Sequence, residues 1–310
     1  MTTTTLRIGT RGSQLALWQA NWIRDQILAK FPEIIVDLVI IKTTGDMIQD
    51  RPLSEIGGKG LFVKEIETAL MENKVDLAVH SMKDVPSWLP EPLEIAVITK
   101  REHPGDALLS EKYKSLEELP SCARIGTSSL RRSSQLKALR KDLIIEPLRG
   151  NVDTRLRKLK EGNYDAIILA YAGLKRLGLD SHVTRIIDPS QMLPAVAQGI
   201  VGIEVRKQDA KTLSFLQHLH HHETAACLEA ERALLVRLEG NCQIPLAGFA
   251  RLNNRTVTLE GLLASPDGTT LIRHIMSSPE GDGQQLGKAM GDYLLDHGGH
   301  QILDQLKSTH

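Results

Sequence analysis

The sequence predicts an α/β protein built from two doubly wound lobes, followed by a smaller α+β domain at the C-terminal end. Three observations carry that expectation. Short apolar runs alternate with helical patterns from Leu6 to Thr99, and the alternation starts again at Arg124, as in sheets assembled from strand–helix–strand units. Between the two blocks lies Lys100-Arg101-Glu102-His103-Pro104-Gly105, where charge followed by Pro-Gly reads as a linker. After Asp209 the character changes to paired helical stretches and then to strands joined by turn residues. The expected boundaries are 1–99 with 200–217 for the first lobe, 105–194 for the second and 222–310 for the C-terminal domain. The chain's 310 residues, 41% of them hydrophobic, are enough for two or three cores.

The elements follow in order. Leu6–Gly9 reads as a strand. Gln14–Phe31 reads as a helix capped by Ser13, with Leu15, Trp18, Trp22, Ile23 and Ile27 on its buried stripe. Ile34–Lys42 is a buried strand, and Leu61–Asn73 a helix with Phe62, Ile66 and Leu70 spaced by four. Asp76–His80 and Ala96–Thr99 are strands. In the second block, strands Arg124–Gly126, Leu143–Leu148 and Ala166–Ala170 alternate with helices Ser129–Leu139, Val152–Lys160 and Gly173–Leu177, which predicts parallel sheets. Gly199–Val205, near a crossing at Leu193-Pro194, reads as the strand by which the chain returns to the first lobe. Helices Lys211–His218 and Thr224–Leu238 then lead to strands Leu246–Arg251 and Val257–Ala264, with Asn253-Asn254 as the turn and helix Gln284–His297 beyond them.

Thirty-eight basic residues balance thirty-eight acidic ones, so the formal net charge is zero. That excludes a generally basic nucleic-acid binder and an acidic disordered tail, and 4% aromatics is thin for a base-stacking platform. The first residues carry no stretch of signal-peptide type, and no run reaches the roughly 18 apolar residues that span a bilayer. Three cysteines, Cys122, Cys227 and Cys242, are not a disulfide framework, so a cytoplasmic protein is expected. The balance of charge is nevertheless local. Residues 122–176 hold thirteen basic and five acidic residues, a net of +8 that the remainder offsets.

In open α/β sheets, ligands bind beyond the carboxyl ends of the strands. The residues expected there are Thr10-Arg11-Gly12-Ser13, Ser81-Met82-Lys83-Asp84, Thr127-Ser128-Ser129 with Arg131 and Arg132, Arg149-Gly150-Asn151 with Arg155, and Ala172-Gly173 with Lys175 and Arg176. Arginine suits planar carboxylates because its guanidinium donates two parallel hydrogen bonds. Arg131 and Arg132 in a first helical turn oppose the helix dipole unless an anion sits beside them. The pattern predicts a cleft for a ligand with several carboxylates or phosphates, with Asp84 as its one acid. Arg140, Lys141, Arg157, Lys158 and Lys160 read as solvated charges.

Other features weigh less. Gly57-Gly58-Lys59-Gly60 lacks the spacing of a nucleotide-binding loop and reads as a lid. His218, His220, His221 and His222 lack the companions of a metal site, so no metal is expected. Cys242 lies in a Gly-Asn turn with no adjacent base, so the residues alone make it incidental. Cys122 and Cys227 read as buried.

Taken together these stretches closely resemble the porphobilinogen deaminase (hydroxymethylbilane synthase) family. The matching motifs are Arg7-Ile8-Gly9-Thr10-Arg11-Gly12-Ser13, Lys42-Thr43-Thr44-Gly45-Asp46, Gly57-Gly58-Lys59-Gly60-Leu61-Phe62 and His80-Ser81-Met82-Lys83-Asp84-Val85-Pro86. Further along are Gly126-Thr127-Ser128-Ser129-Leu130-Arg131-Arg132, Leu148-Arg149-Gly150-Asn151-Val152-Asp153-Thr154-Arg155, Ala172-Gly173-Leu174-Lys175-Arg176-Leu177-Gly178, Leu193-Pro194-Ala195 and Leu238-Glu239-Gly240. The ordered set covers essentially the whole chain.

The resemblance implies periplasmic-binding-protein-like lobes and an enzyme that joins four porphobilinogen molecules head to tail with release of ammonia. It implies a dipyrromethane cofactor bound through Cys242, and Asp84 as the catalytic carboxylate beside a cationic azafulvene. Arg11, Arg131, Arg132, Arg149, Arg155 and Arg176 would hold carboxylates, joined by Ser13, Ser81, Lys83, Thr127 and Ser129. Lys59 and Phe62 would belong to a mobile loop, with Gln19, Asp46 and Gln198 near the cleft. A monomer without nucleic-acid or membrane partners is expected. Three positions depart from the family pattern: Asn241 and Ala197 stand where glycine is usual, and Gly105 where arginine is common. The competing readings are a two-lobed carboxylate-binding or ligand-sensing protein without catalysis, and a phosphate-handling transferase, which lacks any nucleotide motif.

Overall fold

The computed structural model describes residues 4–47, 60–238 and 244–308. In chain order the elements are β1 (Thr5–Thr10), α1 (Gln14–Lys30), β2 (Ile35–Ile40), α2 (Thr44–Met47), α3 (Lys64–Met71), β3 (Leu77–Ser81), β4 (Leu93–Ile98), β5 (Asp106–Leu109) and β6 (Arg124–Gly126). They continue with α4 (Leu130–Leu139), β7 (Ile144–Glu146), α5 (Val152–Lys160), β8 (Ala166–Ala170), α6 (Tyr171–Arg176), β9 (Arg185–Ile186), β10 (Val201–Arg206) and α7 (Ala210–Leu216). The last are α8 (His222–Arg237), β11 (Leu246–Asn253), β12 (Thr256–Ala264), β13 (Leu271–Pro279), α9 (Gly283–Leu294) and α10 (His300–Ser308).

The chain divides into two compact units, residues 1–102 with 200–225, and residues 103–199 with 226–310. The first holds a five-stranded sheet in the order β2-β1-β3-β10-β4. Strands β1, β2 and β3 are parallel, whereas β10 runs antiparallel to both β3 and β4. The sheet is therefore mixed, not parallel as predicted, because β10 enters from the distant part of the chain. On one face α1 packs against Leu6, Ile8, Leu77, Val79, Val201 and Ile203. On the other, α3 brings Ile66, Ala69 and Leu70 against Ala78 and Leu93.

Ser13 caps α1 as predicted, its Oγ accepting from the Ala16 amide at 3.3 Å. The buried stripe differs from the predicted one. Gln19, Ala20, Ile23 and Ile27 face the sheet, while Trp18 and Trp22 are half-buried and stack on each other with ring centres 6.3 Å apart. The rotation has a physical reason: it lets Gln19 reach Ser81 at the end of β3 (Gln19 Nε2 to Ser81 Oγ, 2.8 Å).

The second unit contains the sheet β7-β6-β8-β5-β9 and a three-stranded antiparallel sheet β11-β12-β13. Strands β6, β7 and β8 are parallel, and β5 is antiparallel to β8 and β9. Strands β5, β9 and β13 and helix α10 were not predicted. The two sheets of this unit are tied by Arg273, which donates to the carbonyls of Ser190 (2.6 Å) and Pro189 (3.1 Å). Buried Glu231 on α8 adds a second tie, accepting from the Ala197 amide and the Ala250 amide, both at 2.7 Å. Ala197 has φ +63°, the left-handed conformation that explains why glycine is usual there. At Gly105 a Cβ would lie 2.8 Å from the His103 ring and 3.2 Å from Ile186, so this neighbourhood is already filled.

Candidate functional site

In the first unit the strand-end residues converge on one recess lined by Arg11, Ser13, Gln19, Phe62, Ser81 and Asp84, among others. Asp84 is exposed and sits on the short 3-10 turn Met82–Asp84 that ends β3. The turn is anchored from below. The Met82 amide donates to Ile200 O at 3.0 Å, and its buried side chain lies so close to Gly202 that a Cβ there would fall 2.1 Å from the sulfur. Glycine at 202 thus permits the packing that presents Asp84.

Arg11 donates to Asp46 through Nε (3.1 Å) and Nη2 (2.5 Å), and its guanidinium lies 4.1 Å from the centre of the Phe62 ring. Asp46 also accepts from Thr43 Oγ1 at 2.8 Å. Burial would raise the Asp46 carboxyl, but Arg11 and Thr43 outweigh it and hold it below the ordinary carboxylate range. The Phe62 ring lies over Gly45, where a Cβ would be 2.3 Å from it. Gly45, Asp46, Arg11 and Phe62 therefore form one packed wall. Lys83 is half-buried and engaged in interactions of its own.

In the second unit Arg131 and Arg132 do have an anion beside them, and the protein supplies it. Asp106, fully buried at the start of β5, accepts from Arg131 Nη1 (2.7 Å) and from Arg132 Nε (3.1 Å) and Nη2 (2.7 Å). Gln198 Nε2 donates to the same carboxylate at 3.1 Å. Burial pushes the Asp106 carboxyl up, but the two guanidiniums push it down further, well below the ordinary range. Arg131 keeps its Nε and Nη2 without a hydrogen bond among the described residues, whereas Arg132 also donates to Ile168 O at 3.1 Å.

Of the remaining predicted binders, Thr127, Ser129 and Arg149 follow β6 and β7, Arg155 lies in α5 and Arg176 ends α6. Thr127 is buried, its Oγ1 accepting from the Ser129 amide at 3.2 Å. Ser129 stands at the cap position of α4 without spending its hydroxyl on the helix. Arg149, Arg155 and Arg176 are half-buried; Arg155 donates to Gly150 O (2.8 Å) and Arg176 to Gly199 O (2.7 Å). Cys242, Asn241 and Lys59 lie outside the described residues.

One expectation changes. Cys122 is exposed, in a turn with φ +62°, because it follows Pro120-Ser121 ahead of β6 and does not sit within the strand; Cys227 is buried. The histidines serve the fold: His220 Nδ1 accepts from the Ile98 amide (3.3 Å), and His221 Nδ1 from the Thr224 amide (3.2 Å) at the start of α8. Sequence reasoning missed Asp106, Glu67, His80 and Glu204. All four are buried, and for Asp106, His80 and Glu204 the available signal was a titratable residue in or beside an apolar run.

Two mixed α/β sheets, with an acid on a strand-end turn of one and arginines following the strands of the other, define a class of α/β protein suited to small carboxylate-bearing ligands. A family model described as porphobilinogen deaminase, dipyromethane cofactor binding domain, matches residues 6–214, and one for the porphobilinogen deaminase C-terminal domain matches residues 225–296. The chain belongs to the porphobilinogen deaminase family, the hydroxymethylbilane synthases of tetrapyrrole biosynthesis, whose substrate is porphobilinogen and whose cofactor is dipyrromethane. Similar solved structures include the methionine binding protein MetQ, with 16% identity over 69% of this chain and 89% of that one at a TM-score of 0.45. Another is a lipoprotein from Bacillus subtilis described as methionine-binding, with 13% identity over 70% and 90% at a TM-score of 0.43. Among the described residues no helix is long and apolar enough to cross a membrane.

Proposed function

We propose that condensation of porphobilinogen takes place at the recess that holds Asp84, and that the dipyrromethane is attached through Cys242. The observation that carries this reading is the placement of Asp84: an exposed carboxylate on a turn pinned by Met82, beside Arg11, Ser13 and Ser81. Loss of ammonia from porphobilinogen leaves a cation, and a fixed carboxylate stabilises positive charge developing next to it.

The residues present fit a dipyrromethane. Its acetate and propionate groups need donors that the fold has not fully consumed, and Ser129 with its uncapped hydroxyl and Arg131 with Nε and Nη2 meet that need. Arg149, Arg155 and Arg176, with Thr127, are the other residues assigned to carboxylates, and Ser13, Ser81 and Lys83 serve the recess. The bound group supplies the pyrrole carbon to which substrate is joined. Arg11 in its packed wall orients carboxylates, with Asp46, Gln19 and Gln198 holding neighbours in place, and Lys59 and Phe62 are assigned to a mobile loop over the site. We assign the protein to the cytoplasm as a monomer acting without nucleic acid or membrane, to be checked by fractionation and by light scattering.

Intact mass tests the attachment. Purified protein is expected to be heavier than its sequence by one covalently held dipyrrole, and Cys242→Ser to have the unmodified mass. Folded wild-type protein that stays unmodified after incubation with porphobilinogen would overturn the assignment. Asp84→Asn is expected to retain the cofactor mass while ammonia release falls by about 100-fold or more; near-normal release would remove Asp84 from the reaction.

A further inference from the structure

Directly behind the recess, on the α3 side of the first sheet, three titratable side chains are enclosed: His80 on β3, Glu204 on β10 and Glu67 on α3. They are 6%, 1% and 5% exposed. The register explains their meeting. Gly202 lies opposite His80 and Glu204 opposite Ala78, so Glu204 is the diagonal neighbour of His80 on the same face. Their surroundings are the apolar residues that α3 packs against Ala78 and Leu93. Burying two carboxylates there costs several kcal/mol each unless the charges are paired, so the cluster is an expensive feature in an otherwise ordinary core.

Its hydrogen bonding is directional. His80 Nε2 lies 2.9 Å from Glu204 Oε2. A carboxylate can only accept, so Nε2 carries the hydrogen and Nδ1 is left as the acceptor. Nδ1 has no hydrogen bond among the described residues, and His80 forms part of the wall of the Asp84 recess. A buried carboxylate that fixes the tautomer of an imidazole in the wall of a reaction site is the arrangement of a general base.

We propose that His80, held by Glu204, is a proton-transfer residue of the condensation, taking up at Nδ1 the proton that each condensation releases. The inference rests on the recess being the reaction site. In each condensation one C–C bond forms while one C–N and one C–H bond break. Ammonia leaves first, the C–C bond then forms, and the proton from the C–H carbon passes to Nδ1 and on to solvent, where the released ammonia takes up a proton as ammonium, so no external oxidant or reductant is needed. The charged groups around the imidazole are Glu204 from β10, Glu67 from α3, Asp84 from the turn after β3 and Arg11 from the loop after β1. Glu204 Oε1 is buried without a hydrogen-bond partner, so that carboxylate is not neutralised elsewhere. Burial and the neighbouring charge of Glu204 push the Glu67 carboxyl up to about 7, while His80 works in the opposite direction. Glu67 therefore keeps its proton to higher pH than an ordinary glutamate.

The test uses the cofactor-loaded protein. Ring 15N NMR is expected to show the neutral His80 ring with its hydrogen on Nε2. The Nδ1–H tautomer in the neutral ring would overturn the proposal. His80→Gln keeps an amide facing Glu204 but cannot take up a proton. It is expected to lower kcat by about 100-fold, to leave KM for porphobilinogen within about twofold, and to abolish the acid limb of the kcat–pH profile. A loaded, folded His80→Gln protein with kcat within about threefold of wild type and the same limb would overturn it. If that variant does not fold, Glu204→Gln decides. Glu204→Gln no longer fixes the tautomer, so it is expected to lower kcat by about 10-fold with KM for porphobilinogen within about twofold, and an unchanged kcat in the folded, loaded variant sinks the idea. Asp84→Asn tests the recess independently: normal ammonia release there removes the reaction from this site whatever His80 does.

Discussion

Each unit of this protein buries a cluster of charged side chains, and the two clusters are built differently. In the second unit Asp106 meets two guanidiniums and one amide, and both of its oxygens are used. In the first unit two carboxylates are buried near one imidazole, only Glu204 is hydrogen-bonded to it, and Glu204 Oε1 has no partner. The consequence is opposite behaviour with pH. Asp106 is held below its ordinary value, so the stability it contributes is present above the unfolded carboxylate range and is lost on acidification. Glu67 is raised from 4.5 to about 7, so its contribution is present in acid and is lost as pH rises through that interval. A compensated cluster fixes structure across the working pH range, whereas an under-compensated one keeps a proton available for exchange.

The sharpest way to break this contrast is to remove the compensated anion. Asp106→Asn leaves Arg131 and Arg132 buried without their carboxylate, and a loss of about 3–5 kcal/mol is expected from urea unfolding. A loss below about 1 kcal/mol would mean that the guanidiniums find another anion, and the cluster would no longer count as structural.

A smaller effect is expected from Glu67→Gln. In the wild type, stability should fall by up to about 3 kcal/mol as pH rises from 4.5 to about 7. The variant should be flat over that interval and therefore more stable than wild type above it. Thermal melts at a series of pH values check this, and parallel curves for the two proteins would show that Glu67 does not titrate there.

The same contrast explains what was legible in the sequence. Asp84, Arg11, Ser13 and Ser81 follow strands that the apolar runs announce, and the rule that ligands gather at strand ends finds them without knowing the fold. The need for an anion beside Arg131 and Arg132 was also visible, but its identity was not. Asp106 lies 25 residues away on a four-residue strand that opens with an acid and has no alternation. Its burial exists only because β8 and β9 flank it. The mixed character of both sheets was hidden for the same reason, since strand direction depends on how the chain returns and not on any local pattern. Glu67, His80 and Glu204 come from segments up to 137 residues apart, and only the register of β3 against β10 joins the last two.

The last prediction asks whether charge or geometry does the compensating at Asp106. Arg132→Lys keeps the positive charge but replaces a planar fork, which now makes two bonds to one carboxylate oxygen and a third to Ile168 O, with a single ammonium. The Coulombic attraction survives, while at least one buried acceptor loses its donor. The expected cost is about 1–2 kcal/mol, well short of that for Asp106→Asn. If urea unfolding gives equal losses for the two variants, compensation depends on the fork itself. If Arg132→Lys costs nothing, charge alone suffices, and then the orphan oxygen of Glu204 would not be enough to set the two clusters apart.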